Sequence, residues 1–280
     1  KVISKLKLRA SYGQVGNENL GGRRFAYLST ITDDYDTLNM YKWGLDSSYG
    51  LTGMAEGEFA VQDLTWEIVN KMNLGVELGF LNGMIDLQLD YFDERRKDIF
   101  MPRESVPMTA GFMKQPWKNF GKVTNQGVEV SLNVNKQFGK DLFVSLMGTF
   151  TYAHNEITEK DEPSAVVGTN RAETGHPVGQ LTGYIAEGLF TEDDFEDVST
   201  GKLKEGIPTQ SFVSKLRPGD IRYRDVNGDG KVDVFDKSPI GGTKDPEIVY
   251  GFGLNMKYKD LDFGALFQGI GRCLLYTSDA

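Results

Sequence analysis

Residues 64–97 read LTWEIVNKMNLGVELGFLNGMIDLQLDYFDERRK. From Trp66 to Phe80 the even positions are Trp, Ile, Asn, Met, Leu, Val, Leu and Phe, and the odd ones are Glu, Val, Lys, Asn, Gly, Glu and Gly. A period of 2 marks a β-strand with one apolar face. Here it runs more than twice the ~5–6 residues usual in a soluble sheet. Asn82-Gly83 is a tight-turn signal, and the return stretch sets Ile85, Leu87, Leu89 and Tyr91 against Asp86, Gln88 and Asp90. Two adjacent strands of this length, joined by a minimal turn, match the ~9–11 residues that a tilted strand needs to cross a bilayer.

The same pattern recurs on both sides. Lys5, Lys7, Arg9 and Ser11 alternate with Leu6, Leu8, Ala10 and Tyr12. Val128, Val130, Leu132 and Val134 lead to a turn at 138–141, and Leu142, Val144, Leu146, Phe150 and Tyr152 return. Ile248, Tyr250, Phe252, Leu254, Met256 and Tyr258 form a third hairpin with Leu261, Phe263, Ala265 and Phe267. Strands are therefore expected at about 3–13, 66–80, 84–97, 127–138, 141–154, 247–259 and 261–270. Tight turns at 81–83, 138–141 and 259–260 alternate with long connections at about 14–63, 98–126 and 155–246. All short turns then fall at one end of the strands and all long loops at the other.

That asymmetry is the layout of an outer-membrane barrel, with short periplasmic turns and long extracellular loops. The expected fold class is all-β, a partial transmembrane antiparallel β-barrel. Trp66, Phe80, Tyr91, Phe138, Phe143, Tyr152 and Tyr258 stand near strand ends, where two interfacial girdles would lie. On the outward parity Lys136 and Asn70 are polar, each near a strand end, where a charge costs ~0–1 kcal/mol rather than the ~2–4 of the midplane. Seven strands leave free edges, which lipid does not tolerate, so the chain reads as part of a larger barrel. The competing fold is a secreted, calcium-stabilised β-sandwich adhesin, whose loops are normally short at both ends.

Composition is compatible with this. The 280 residues are 39% hydrophobic and carry a net charge of −9, which argues against a nucleic-acid partner. No run of ~18 apolar residues marks a transmembrane helix. Tyr 12, Phe 17, Trp 3 and Gly 33 suit a strand-rich wall. No signal peptide is visible, since Lys1-Val-Ile-Ser-Lys5 opens directly in a strand-like stretch. Residues 1–271 read as one barrel segment; 272–280, with the single Cys273, break the pattern and read as a non-native tail of the kind left by sequencing-adapter read-through.

The sharpest local motif is Asp225-Val-Asn-Gly-Asp-Gly-Lys-Val-Asp-Val-Phe-Asp236. Asp225, Asn227, Asp229, Asp233 and Asp236 fall at positions 1, 3, 5, 9 and 12 of an EF-hand-type loop, Gly230 sits at the sharp turn, and Lys231 offers its carbonyl at position 7. A structural calcium ion is expected there, held without the flanking helices of a sensor; an Asp/Gly turn without metal is the plainer reading. His154 and His176 are the only histidines, and neither has a nucleophile motif nearby, so no catalysis is expected. His176, in Gly175-His-Pro-Val-Gly179, is expected to shape a turn. Asp161-Glu162 and Asp193-Asp194 read as solvated loop charge. Tyr35, Tyr41, Trp43, Tyr49, Phe112 and Trp117 either stack on sugar rings or pack the long loops.

Taken together, Leu64-Thr-Trp-Glu67, Asn82-Gly83, Asp90-Tyr91-Phe92, Asn125-Gln-Gly-Val-Glu129, Gly175-His-Pro-Val-Gly179, Gly183-Tyr184, Pro218-Gly-Asp220, Asp225-x-Asn-Gly-Asp-Gly, Tyr250-Gly-Phe252 and Phe267-Gln-Gly269 closely resemble the C-terminal part of SusC/RagA-type TonB-dependent outer-membrane transporters. The resemblance covers residues 1 to about 271. It implies a 22-stranded barrel closed by an N-terminal plug, a SusD-like surface lipoprotein as lid, energy from the TonB complex, and oligosaccharides or peptides as cargo. It also implies that the 225–236 loop is a shared calcium-type feature. Substrate contacts do not carry over, because no motif here marks them.

Overall fold

The computed structural model describes residues 2–21, 23–32, 41–43, 49–51, 54–112 and 114–274. Its frame is one seven-stranded sheet made of Ile3–Asn17 (β1), Glu67–Phe80 (β2), Ile85–Pro102 (β3), Trp117–Phe138 (β4), Leu142–Glu159 (β5), Ile248–Tyr258 (β6) and Leu261–Gly271 (β7). Every strand pairs antiparallel with the next in sequence, including β5 with β6 across the 160–247 insertion. Among the described residues the sheet is open, with β1 and β7 as its edges. No helix there is long and apolar enough to cross a membrane.

The register turns the sequence alternation into rows across the whole sheet. Leu8, Val76, Leu89, Val130, Phe150 and Tyr250 stand in one row. One step along, Lys7, Glu77, Gln88, Ser131, Thr149, Gly251 and Gln268 stand in another. Side chains of neighbouring rows point to opposite faces, so one face is apolar from edge to edge and the other is polar. The apolar face is open: Leu8 is 73% exposed, Phe252 53% and Phe267 57%. A patch of this extent on a protein marks a membrane or interaction surface.

The polar face is a lattice of ion pairs. Glu77 lies 2.8 Å from Lys5, 3.2 Å from Lys7 and 3.2 Å from Arg9. Arg9 also reaches both carboxylate oxygens of buried Asp90, two strands away, at 2.8 Å. That span is possible because Gly75 lies between them; a Cβ there would meet the guanidinium at 3.0 Å and collide with the carboxylate. Glycine in this strand thus gives close approach rather than flexibility.

The tight turns are as expected. Leu81, Asn82 and Gly83 all take positive φ, at 51°, 58° and 87°, the conformation for which Asn-Gly is suited. The strands are longer than expected at the opposite end. β1 continues to Asn17, β3 to Pro102 and β5 to Glu159, and β4 begins at Trp117, so the second long connection contracts from 98–126 to 103–116. Beyond the apolar belt the ladder persists while polar and apolar residues cease to alternate, charged on both faces at Asp93–Asp98 and apolar on both at Ile99–Pro102, so hydrophobic periodicity no longer reports it. Gly121 and Asp98 mark a bulge there: Asp98 takes φ 57°, and the register shifts between Arg96 and Ile99, which faces Gly121.

Phe143 corrects the aromatic assignment. It pairs with Gln137 and Lys257 and lies on the polar face, because its position is odd where the apolar residues of β5 are even. Phe80, Phe138 and Tyr258 end the apolar face near the turns, and Tyr91 and Tyr152 stand toward the loops. Lys136 lies over the Phe138 ring at 5.0 Å, and Asn70 accepts from Gln14 at 3.0 Å, so both outward polar residues are partnered.

The 160–247 insertion, expected only as a long connection, folds on itself. Gln180–Gly183 pairs with Ser238–Thr243, Ala186–Leu189 with Ile221–Tyr223, and Thr209–Gln210 runs parallel to Lys231–Val232. Phe190, Phe195 and Leu216 are buried together, with Leu203, Ile207 and Val213 against them. The compact apolar core thus lies in this insertion, not on the sheet.

Candidate functional site

The 225–236 segment forms a turn closed on its own amides. Asp225 accepts from the N–H groups of Gly228 and Gly230 at 2.7 and 2.8 Å. Asn227 accepts from Asp229 at 2.9 Å, and Asp229 from Lys231 at 2.9 Å. Gly228 and Gly230 take φ of 76° and 84°, as such a reversal requires. Asp236 is fully buried. Its Oδ1 accepts from Val226 at 2.8 Å and Asn227 at 3.3 Å, and its Oδ2 from Asp233 at 2.7 Å. Asp233 accepts from Phe235 at 2.9 Å and lies 3.5 Å from Lys231 Nζ.

All six expected ligand positions therefore fall on one ordered loop. Its donor chemistry, four carboxylates and an amide against a single lysine, suits a hard divalent cation. Each carboxylate oxygen bound to one N–H retains a second acceptor direction. Among the described residues no three His, Cys, Asp or Glu side chains converge as a metal group; the carboxylates are turned to the backbone. Tyr184 is packed beside this loop: burial, then the charges of Asp233 and Asp236, push its phenol above the usual range. Tyr184, Phe212 and Tyr223 form an aromatic cluster with centroids 4.8–5.7 Å apart.

The carboxylates expected to be solvated are in large part structural. Asp161 and Glu162 are buried at 7% and 9% exposure. Asp161 Oδ2 accepts from Arg103 Nε at 2.7 Å and from Ser105 Oγ and N at 3.0 and 3.3 Å, fastening the 103–116 loop to the root of the insertion. Glu162 accepts from Glu173 N at 2.5 Å and Thr174 Oγ1 at 2.8 Å. Asp194 caps its turn by accepting from Thr191 N at 2.7 Å and Oγ1 at 2.9 Å. Nothing local in the sequence signals the partners of Asp161 and Glu162, which lie 11 to 58 residues away, whereas Thr191-x-x-Asp194 is a capping-box pattern.

Burial works to raise the Asp161 carboxyl, but Arg103 and Ser105 outweigh it and hold it below its usual value. A folded pKa below the unfolded value of about 3.9 contributes stability that is full above that value and is lost as pH falls through the folded one. Hydrogen exchange at the Ser105 amide, corrected for intrinsic rate, is therefore expected to stay slow from pH 7 down to about 4 and to accelerate below it. Asp161→Asn is expected to exchange fast already at pH 7. An amide equally protected at pH 7 and pH 3 would refute the clasp.

His154 Nδ1 lies 2.5 Å from Glu247 Oε1, and Glu247 Oε2 is 3.2 Å from Arg272. This hydrogen-bonded contact joins β5 to the end of the insertion. His176 shapes a turn, as expected: its N–H bonds Glu173 O at 3.0 Å, and its carbonyl accepts from Ile157 at 2.9 Å. Phe112 packs edge-on against Phe59 at 4.5 Å, and Trp117 lies between Phe100 at 5.1 Å and Arg23 at 4.2 Å, so both serve loop packing. Tyr35 and the side chains of Tyr41, Trp43 and Tyr49 lie outside the described residues. Cys273 pairs with Thr243 in an isolated bridge and its Sγ donates to Lys244 O at 2.8 Å.

Between the polar sheet face and the root of the insertion lies a cavity of ≈ 600 Å³, bounded by Val69, Met101, Ile157, Val178 and Pro246 with Arg96 and Lys122 among its charges. Arg96 is paired with Glu67 at 3.1 Å, and Lys122 with Glu159.

A family model described as "TonB dependent receptor-like, beta-barrel" matches residues 1–255. The chain is 25% identical over 290 residues to TonB-dependent receptor P3 of Formosa agariphila, covering 98% of this chain and 26% of that protein. It is 29% identical over 269 residues to TonB-dependent receptor SusC of Bacteroides thetaiotaomicron, covering 94% and 24%. Its fold matches the RagAB peptide importer in the closed-closed state with a TM-score of 0.64 at 23% identity, over 96% of this chain and 27% of that one. The chain spans about a quarter of the length of the curated relatives it matches.

Proposed function

The chain belongs to the TonB-dependent receptor-like β-barrel family, a family of transporters and not of enzymes, and from that premise we propose that it is a wall segment of a SusC/RagA-type outer-membrane importer. The observation that carries this is the sheet itself. Its one face is apolar from edge to edge and its other is ion-paired, with minimal turns at one end and the folded insertion at the other. In a barrel the apolar face meets lipid and the polar face lines the lumen. Residues 1–271 are then a C-terminal part of the barrel, with its remaining strands supplied by the rest of the protein.

The cargo is an oligosaccharide or peptide, captured with a SusD-like surface lipoprotein and moved by the TonB complex. In support, one relative is the TonB-dependent receptor SusC and a protein of similar fold is a peptide importer; the oligosaccharide cargo and the lipoprotein partner rest on the SusC/RagA-type sequence resemblance. Deleting the encoding gene is expected to abolish uptake of the cargo, and the full-length gene to restore it only in cells with TonB. Uptake that survives TonB depletion would defeat this reading. Purification of the full-length protein in mild detergent is expected to bring down one surface lipoprotein.

Calcium in the 225–236 loop is part of the proposal. The side chains of Asp225, Asn227 and Asp229, with Lys231 carbonyl, Asp233 and Asp236, would hold the ion, and the ion would supply the positive charge that this acidic loop lacks. Its role is structural, stapling the insertion near Tyr184 and the Thr209–Lys231 pairing.

A further inference from the structure

The insertion contains a second cavity, of ≈ 330 Å³, within the size range of small-molecule sites. Three half-buried basic side chains line it: Arg171, His176 and Lys237. Among the described residues none of the three forms an ion pair within 4.0 Å. The only acidic residue on the wall, Glu173, is already paired with Lys160 at 2.7 Å.

Ring faces position the two cations, Arg171 and Lys237. The Arg171 guanidinium lies 4.6 Å from the Phe235 ring, and Lys237 Nζ lies 5.7 Å from the Tyr184 ring. An aromatic face attracts a cation without neutralising it, so the charge stays available. The frame is fixed by amides: Asn170 Nδ2 donates to the carbonyls of Phe235 and Lys237 at 3.0 and 2.7 Å, and Gln180 Nε2 to that of Gly241 at 3.2 Å. In a chain of net charge −9, like charges gathered at one cavity repel unless an anion joins them.

We propose that this cavity binds a carboxylate carried by the imported substrate. A planar carboxylate takes two parallel N–H bonds from a guanidinium, with Lys237 and His176 as further donors and Val234 against the carbon skeleton. The carboxylate belongs either to a peptide or to a uronic-acid sugar. This deepens the importer reading and rests on it for the identity of the ligand as cargo.

The test is titration of the detergent-purified full-length receptor with trigalacturonate and with N-acetyl-trialanine, each beside a neutral counterpart: an uncharged hexose trisaccharide and N-acetyl-trialanine amide. At least one acidic probe is expected to bind roughly 10-fold more tightly than its counterpart, and which one does so identifies the source. Arg171→Gln and the Arg171→Ala/Lys237→Ala double variant are expected to lose that preference. Raising NaCl in the wild-type protein is expected to weaken the acidic probe and not the neutral one, a check that needs no variant. Neutral and acidic probes binding alike, or neither acid binding, or a preference that survives in the variants and in salt, would overturn the proposal. Binding is read without any energy source, so its failure is separate from a failure of TonB-driven uptake.

Discussion

Leu132→Arg is expected to remove most of the folded protein from the outer membrane. Leu132 lies midway along the apolar belt of β4, between Val128 at the loop-side end of that belt and Lys136 near the turn, in a row with Leu87 and Leu78. A charged side chain at the midplane of a barrel's lipid face costs ~2–4 kcal/mol, a factor of roughly 30 to 900 in the folding equilibrium. Long side chains near an interface escape this by reaching water, and Leu132 is too central for that. The neighbouring Ser131→Arg is the control. It points to the opposite face, beside Asp90 and Glu129, where a guanidinium finds carboxylates. Heat-shifted electrophoretic mobility of outer-membrane fractions measures both. Equal assembly of the two variants would mean that the apolar face does not meet lipid.

Asp236→Ala is expected to unfold the metal-type loop with or without calcium, whereas Asp229→Ala is expected to matter only when calcium is present. Asp236 is fully buried and satisfies the N–H groups of Val226, Asn227 and Asp233. A hydrogen bond to a charged group contributes ~1.5–3 kcal/mol, so losing three of them with the carboxylate costs about 3 kcal/mol or more. Asp229 is exposed and accepts only two local bonds, from Lys231 N and Asn227 Nδ2, groups that water reaches when it is removed, so its loss changes the metal-free loop little. It does remove the fifth-position oxygen of the calcium cage. Limited proteolysis of the full-length protein within 225–236, with calcium and with chelator, separates the two effects. Wild-type protein is expected to be cut more slowly with calcium, Asp229→Ala equally in both conditions, and Asp236→Ala fast in both. Wild-type cleavage indifferent to calcium would refute metal binding while leaving the structural role of Asp236 intact.

The hairpins were legible because a strand with one face in lipid or core and one in water must alternate, and the alternation is local. Leu64 to Lys97 contains its own turn, its own faces and its own register. The outer ends of the strands were not legible for the same reason. From Asp93 to Pro102 and from Trp117 to Gln126 the ladder continues without alternation, Asp93–Asp98 charged on both faces and Ile99–Pro102 apolar on both, and nothing periodic remains to be read. The calcium-type loop was legible as a donor list at fixed spacing. That its carboxylates engage the backbone, and that Asp236 is buried, was not.

What the sequence determined by itself is the β-hairpin alternation, the short-turn and long-loop asymmetry, and the positions of the oxygen donors from Asp225 to Asp236. Each depends on residues close together in the chain. Tertiary structure alone decided which distant groups meet: Arg9 with Asp90 across Gly75, Asp161 with Arg103 and Ser105, and Arg171 with Lys237 and His176 around one cavity. The first two are ionic and hydrogen-bonded contacts and the third a shared cavity wall; all need only the right distance and leave no periodic trace in the chain. The apolar face is set by a repeating solvent boundary and so is written at every second residue.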